Sequence, residues 1–178
     1  MRILAIDSSV PIGSVALLDK SGIISQDSIA RDSSFSILIL PKIREITIRF
    51  GLLSLEQLDG FALTTGPGSF TGLRVGMSLI KGIALGLGKP VVAIETLLAI
   101  AAQVDSHELP ICAILDAKKK QVYAAFFKRE QENLVRQSPD IAISPEDLIK
   151  NILEPTIFVG QGLEVYGDFF ANKLKSYF

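Results

Sequence analysis

Apolar positions along this chain fall into short unbroken runs separated by two longer helical stretches. Ile3-Leu4-Ala5-Ile6 is continuous, as a buried central strand would be, and it ends in Asp7-Ser8-Ser9. Gly13 to Leu18 reads as a second strand, reached through a turn at Pro11–Gly13, and Ile23 to Ile29 as a third. A helix is expected from Ser34 to Phe50, closed by Gly51, with Pro41 kinking it or delaying its start. One stripe on it runs Ile37, Leu40, Ile43, Ile46 and Phe50. Phe35, Leu38, Ile39 and Ile48 lie off that stripe. A helix laid on a sheet needs one apolar face. The second set points to a second burial surface, on another chain or under a neighbouring helix.

Ser54-Leu55-Glu56-Gln57 fits a capping box for a short helix. The stretch that organises the rest follows it. Phe61 to Thr64 leans towards strand, Thr65 to Gly72 is a glycine-bent loop, and Leu73 to Leu87 reads as a helix. Gly66 and Gly68 permit backbone angles closed to other residues, and Pro67 stiffens the bend between them. Ser69 and Thr71 can donate hydroxyls or cap the helix. Free N–H groups at such a helix start suit a phosphate, although a purely structural connection has the same look. No Gly-Lys-Ser/Thr follows, so this is not a Walker A loop. On the helix, Gly72, Gly76, Leu79, Ile83 and Gly86 share a face. Glycine costs roughly 1 kcal/mol in a helix interior, so three on one face imply close approach of another backbone, in the sheet or in a partner helix. Arg74, Ser78 and Lys81 make the polar side.

Val91 to Ile94 is a further strand, and Thr96 caps a helix from Leu97 to about Val104. The loop leading to Pro110 divides the chain into residues 1–105 and 106–178. Ile111 to Asp116 repeats the opening design of apolar run then acid. Ala117 to Lys120 turns, and Val122 to Phe127 returns as a hairpin strand. Lys128 to Asp140 is polar and expected to be exposed. Ser144-Pro145-Glu146-Asp147 starts a helix, Thr156 to Val159 is a strand, and Leu163 to Lys175 a last helix.

Composition narrows the chemistry. With 178 residues, 48% hydrophobic and 21% charged, the chain is a folded α/β protein with room for one core or two small lobes. Its net charge of −1 lacks the basic excess of a free-standing nucleic-acid binder. Contact with RNA then needs a local patch or a partner, and a partner is expected. One cysteine and one histidine rule out a structural zinc cluster and argue against Cys/His or Ser/His catalysis. Cys112, in an apolar run, reads as a buried small hydrophobe, and a lone thiol fits the cytoplasm. Met1-Arg2 leads straight into a strand with no signal peptide, and Leu73–Leu87 is short for a membrane span. Asp7 and Asp116 both end apolar strands before hairpins. They could hold a metal beside a phosphate, with Glu95 as a third acid, or each could cap its own turn.

Three blocks in order resemble the TsaB family, also called YeaZ. They are Met1–Ser9, Gly66-Pro67-Gly68-Ser69-Phe70-Thr71-Gly72-Leu73-Arg74, and Leu115-Asp116-Ala117-Lys118 with Val122-Tyr123. The resemblance is strong to about residue 128, and Val159 to Tyr166 still resembles a family turn and helix. It implies an actin-like, sugar-kinase-like fold of two ribonuclease-H-like lobes, the second reduced. It implies a non-catalytic subunit that pairs with TsaD and recruits TsaE in threonylcarbamoylation of tRNA beside the anticodon. Alone, such a chain is expected to form a homodimer, and it would meet tRNA only indirectly.

The family pairs through its first two long helices, here carrying Phe35, Leu38, Ile39, Gly72, Gly76, Leu79, Ile83 and Gly86. The loop Gly66, Gly68, Ser69, Phe70, Thr71, Gly72 and Arg74 would support that interface or help hold ATP or ADP trapped there. No cofactor, metal or catalytic residue of this chain is expected, and Asp7 and Asp116 would be vestigial. Three departures stand out: Phe35-Ser36 where relatives often have His-Ser, Thr65 where Arg is frequent, and Lys118-Lys119-Lys120-Gln121 where Arg-Arg-Gly-Glu is usual. The alternatives are a ribonuclease-H-like nuclease using Asp7, Glu95 and Asp116, or an autonomous ATPase or kinase using Asp7 and the glycine loop.

Overall fold

The computed structural model describes residues 1–30 and 35–174 and divides them into two compact units, Met1–Ile94 and Glu95–Phe178. In the first, β1 (Ile3–Asp7), β2 (Ile12–Asp19), β3 (Gly22–Ala30), β4 (Gly60–Gly66) and β5 (Val91–Glu95) form a sheet in the order β3-β2-β1-β4-β5. β1 to β3 are an antiparallel meander, while β4 joins β1 in parallel after helix α1 (Phe35–Arg49). Register puts Leu4 beside Leu17 and Phe61, and Ile6 beside Val15 and Leu63. That alternation gives one apolar face. Ile39, Ile43 and Ile46 of α1 and Ile80 and Ala84 of α2 (Phe70–Leu87) pack into the same core. Ser54 to Gln57 forms the expected capping box, but on a single 3₁₀ turn.

The second unit repeats the order in shortened form. β6 (Ile111–Lys118) pairs antiparallel with β7 (Gln121–Glu130), β7 with β8 (Asn133–Arg136), and β10 (Ile157–Val159) lies parallel on the other side of β6. β9 (Ile141–Ile143) adds to β7 beyond β8. The order β8-β7-β6-β10 is that of the first sheet without its fifth strand. This is the ribonuclease-H-like order of the actin-like fold, used twice and reduced the second time.

β6 is buried along nearly its whole length. Cys112 and Ile114 join Phe158, Phe170 of α5 (Leu163–Lys173) and Leu148 of α4 (Pro145–Ile149), while α3 (Thr96–Ala101) packs on β6 and β7. Burial pushes the Cys112 thiol well above its usual range, consistent with an inert apolar residue.

Several expectations change here. The stretch from Lys128 to Asp140 holds the end of β7 and all of β8, because Gln131 turns the chain at positive φ and Leu134 and Val135 sit half-buried. The division at 105/106 is displaced: α3 belongs with the second unit, so contacts break after Ile94. α1 runs through Pro41 as one helix. Ser34, the expected helix start, and Lys175, the expected end of the last helix, lie outside the described residues. α2 is longer than its sequence pattern implied. Its 18 residues make it long and apolar enough to span a bilayer by length and composition alone, yet Gly72, Gly76, Ile80 and Ala84 are buried against the unit's core.

Candidate functional site

The glycine loop is closed by the protein itself. Asp7 Oδ1 accepts from Ser9 N at 2.8 Å, Ser9 Oγ at 2.6 Å and Thr64 Oγ1 at 2.8 Å, joining the end of β1 to β4. Ser69 N then donates to Ser9 O at 2.8 Å. Gly68, at φ 158°, lies so close that a Cβ there would stand 2.5 Å from Ser9 O. A Cβ on Gly76 would fall on the Ser8 Oγ. Ser8 and Ser9 are almost fully buried. β1, the loop and the first turns of α2 are therefore fitted together with no spare width, and glycine is required where they touch. Ser69 takes the N-cap position, but its hydroxyl caps nothing; its carbonyl accepts from Leu73 N. Thr71 is exposed. Phe70 projects outward with the Arg74 guanidinium 3.8 Å over its ring. What this arrangement does chemically is hold α2 at a fixed setting and present Phe70 and Arg74 to the outside.

The other acids are engaged locally. Asp116 Oδ1 accepts from Lys118 N at 2.8 Å, and its Oδ2 pairs with Lys118 Nζ at 2.6 Å. Burial raises the Asp116 pKa, but the hydrogen bonds and charge of Lys118 outweigh that and leave it lowered. Glu95 pairs with Arg136, which also holds Asp140 and lies over Phe127. Among the described residues no three His, Cys, Asp or Glu groups are placed to share a metal ion. Lys118, Lys119 and Lys120 all have positive φ. Each such non-glycine residue costs roughly 1–2 kcal/mol.

The two helix faces come out differently from the sequence pattern. On α1 the inward row is Ile39, Ile43, Ile46 and Thr47, so Ile39 belongs to the core and not to an outer surface. Leu38 and Ile48 point outward as expected, joined by Ile37, which is 70% exposed, and Leu40. The side chain of Phe35 lies outside the described residues. Leu40, Pro41, Arg44, Ile48, Leu53 and Leu55 line an open groove of about 730 Å³.

On α2 the buried row advances by four residues, Gly72-Gly76-Ile80-Ala84. Gly72 and Gly76 thus face the sheet, Leu79 and Ile83 flank the core, and Gly86 faces out. These five do not form one docking surface. The outward row is Arg74, Ser78, Gly82 and Leu85, with Leu85 87% exposed. Gly82 and Leu85 escaped the sequence reading, although their spacing from Ser78 carries the signal.

A family model described as "TsaD: tRNA N6-adenosine threonylcarbamoyltransferase" matches residues 28–176. The tRNA threonylcarbamoyladenosine biosynthesis protein TsaB of Haemophilus influenzae is 34% identical, the match covering 98% of this chain and 78% of that one. The chain belongs to the TsaB (YeaZ) family. The TsaB of Escherichia coli is 29% identical over 94% of this chain and 74% of its own. The structure of YeaZ from Pseudomonas aeruginosa superposes with a TM-score of 0.72 at 26% identity, over 82% of this chain and 68% of that one. The TsaB family is named for biosynthesis of threonylcarbamoyladenosine in tRNA. In this chain the glycine loop is a structural joint, and the outer sides of α1 and α2 expose Ile37, Leu38, Leu40, Ile48 and Leu85.

Proposed function

We propose that this TsaB-family chain is a non-catalytic subunit of the cytoplasmic machinery that makes threonylcarbamoyladenosine in tRNA, docking a TsaD-type catalytic partner through the outer faces of α1 and α2. The observation that carries this reading is the apolar exposure of Ile37, Leu38, Leu40 and Ile48 on one helix and Leu85 on the other. Each such side chain contributes on the order of 1.5–3 kcal/mol when fully buried in an interface. Ser78 and Gly82, between Arg74 and Leu85, let a partner helix come close. The partner supplies the reacting groups. This chain shifts it towards its competent conformation by binding that conformation better. The same face joins two copies when the partner is lacking, TsaE adds to the assembled pair, and ATP or ADP sits at the complex interface.

The test uses Ile48→Glu with Leu85→Glu, two exposed positions whose replacement leaves the core intact. Wild-type chain is expected to self-associate by light scattering, to bind TsaD, and to restore tRNA modification when mixed with it. The double variant should keep its thermal midpoint and lose all three. ATP turnover or Mg²⁺-dependent nucleic-acid cleavage by the pure chain, or a lone monomer indifferent to TsaD, overturns the reading.

A further inference from the structure

The hairpin joining β6 to β7 turns on Lys118-Lys119-Lys120, at φ 64°, 51° and 60°. Lys118 pairs with Gln121 across the ladder, so Lys119 and Lys120 are the two central residues of the turn. A two-residue turn with positive φ at both centres selects Asn-Gly or Asp-Gly, which fit there with least penalty. This chain places a long cation at each centre instead. Lys118 is held by Asp116, whereas Lys119 and Lys120 are exposed, and their side chains have no hydrogen-bond or ion-pair partner among the described residues. Residues held at unfavourable backbone angles cluster at binding and active sites. Here they present two adjacent free ammonium groups on an ordered turn.

We infer that Lys119 and Lys120 contact the phosphate backbone of the tRNA on which the assembly works. The inference rests on the family's tRNA role and not on docking through α1 and α2. A net charge of −1 argues against RNA binding by the surface at large, but a pair of cations on one turn is the local patch that such a contact needs. Two lysines read no bases. They fix the RNA's position through its backbone.

The test titrates the ¹⁵N-labelled full chain, alone and at low salt, with unmodified tRNA, following backbone amide signals and affinity across a salt series. The signals of Lys119, Lys120 and Gln121 are expected to move. Lys119→Gln with Lys120→Gln keeps the turn conformation and its thermal midpoint, abolishes those movements, and flattens the slope of log affinity against log salt by about 1.4–1.8. Lys119→Asn with Lys120→Gly gives the same loss of binding while raising the thermal midpoint, which separates charge from backbone strain. Unmoved hairpin signals, or equal tRNA affinity in the glutamine pair, overturn the inference. Equal movement with polyglutamate overturns it in favour of an acidic protein partner. Because the chain is measured alone, failure of the docking reading leaves these outcomes unchanged.

Discussion

Asp7 and Asp116 each close the first strand of their unit, and each accepts the backbone N–H two residues on at 2.8 Å, from Ser9 and from Lys118. Beyond that shared turn they diverge. Asp7 reaches across to Thr64, and the serines behind it are packed under Gly68 and Gly76. Asp116 reaches only to Lys118 in its own hairpin, and the lysines that follow stand in solvent. The same local device is thus a joint in one unit and the base of an exposed tip in the other. Sequence similarity between two acid-ended strands says that a turn is made, and packing decides whether anything depends on it.

The largest effect should come where the first turn has no room. Gly76→Leu would drive a side chain into Ser8, and overpacking of this kind costs about 3 kcal/mol. Glycines grouped by helical spacing alone would put Gly76 at a docking surface, with loss of association and an intact fold. Its contact with Ser8 reverses that expectation. Urea unfolding measures the outcome, and normal stability with weakened partner binding would return Gly76 to the interface. Asp7→Ala comes next. It removes the acceptor for Ser9 and Thr64, both nearly buried, and an unsatisfied buried donor costs about 1–3 kcal/mol. The folded fraction should still bind TsaD with unchanged affinity by calorimetry. Loss of modification activity in a normally assembled, fully folded complex would instead give Asp7 a chemical role.

These two variants mark how far the amino-acid order could be read. The β4–loop–α2 connection was legible because Gly66, Pro67 and Gly68 between an apolar run and a helical pattern have few other uses. The excess of apolar surface on α1 was legible too, since Ile and Leu there outnumber what one face can bury. Its phase was not. Ile37, Leu40 and Ile43 satisfy a helical spacing as well as Ile39, Ile43 and Ile46 do, and only the sheet beneath chooses between them. On α2, Gly86 shares a wheel sector with Gly72, but the burial row advances 72-76-80-84 and leaves it outside. β8 was hidden because Asn133 to Arg136 is short and half polar, and pairing with β7 supplies what its own pattern lacks. The strain at Lys118 to Lys120 was not legible, because lysine itself signals nothing about φ.

A pH series sharpens the second half of the comparison. Lys118 holds the Asp116 carboxyl below its ordinary value of 3.8. A depressed acid stabilises the fold above the unfolded-state pKa, and that contribution disappears as pH falls through the folded-state value. Wild type should therefore be more stable than Asp116→Asn at neutral pH, and the gap should close in acid below 3.8. The gap itself should be small, because Lys118 is mostly exposed and its ion pair is screened by solvent. A gap that stays constant down to strong acid would mean that shape, and not charge, sets the difference.

The smallest expected change is a gain. Lys120 sits at φ 60° in the second central position of its turn, where glycine carries no steric penalty. Lys120→Gly removes that penalty but also frees the unfolded chain, and these effects oppose each other. The left-handed cost of roughly 1–2 kcal/mol exceeds the entropy lost to glycine, roughly 0.5–1 kcal/mol, so a net stabilisation of about 0.5–1 kcal/mol is expected. No such gain is available at Ser9, two residues past Asp7, because Ser9 does not have the positive φ of Lys120 and its Oγ donates to Asp7. Ser9→Gly should destabilise where Lys120→Gly stabilises, as read from paired urea titrations. Equal signs for the two substitutions would mean that the two turns are not the joint and the free tip described above.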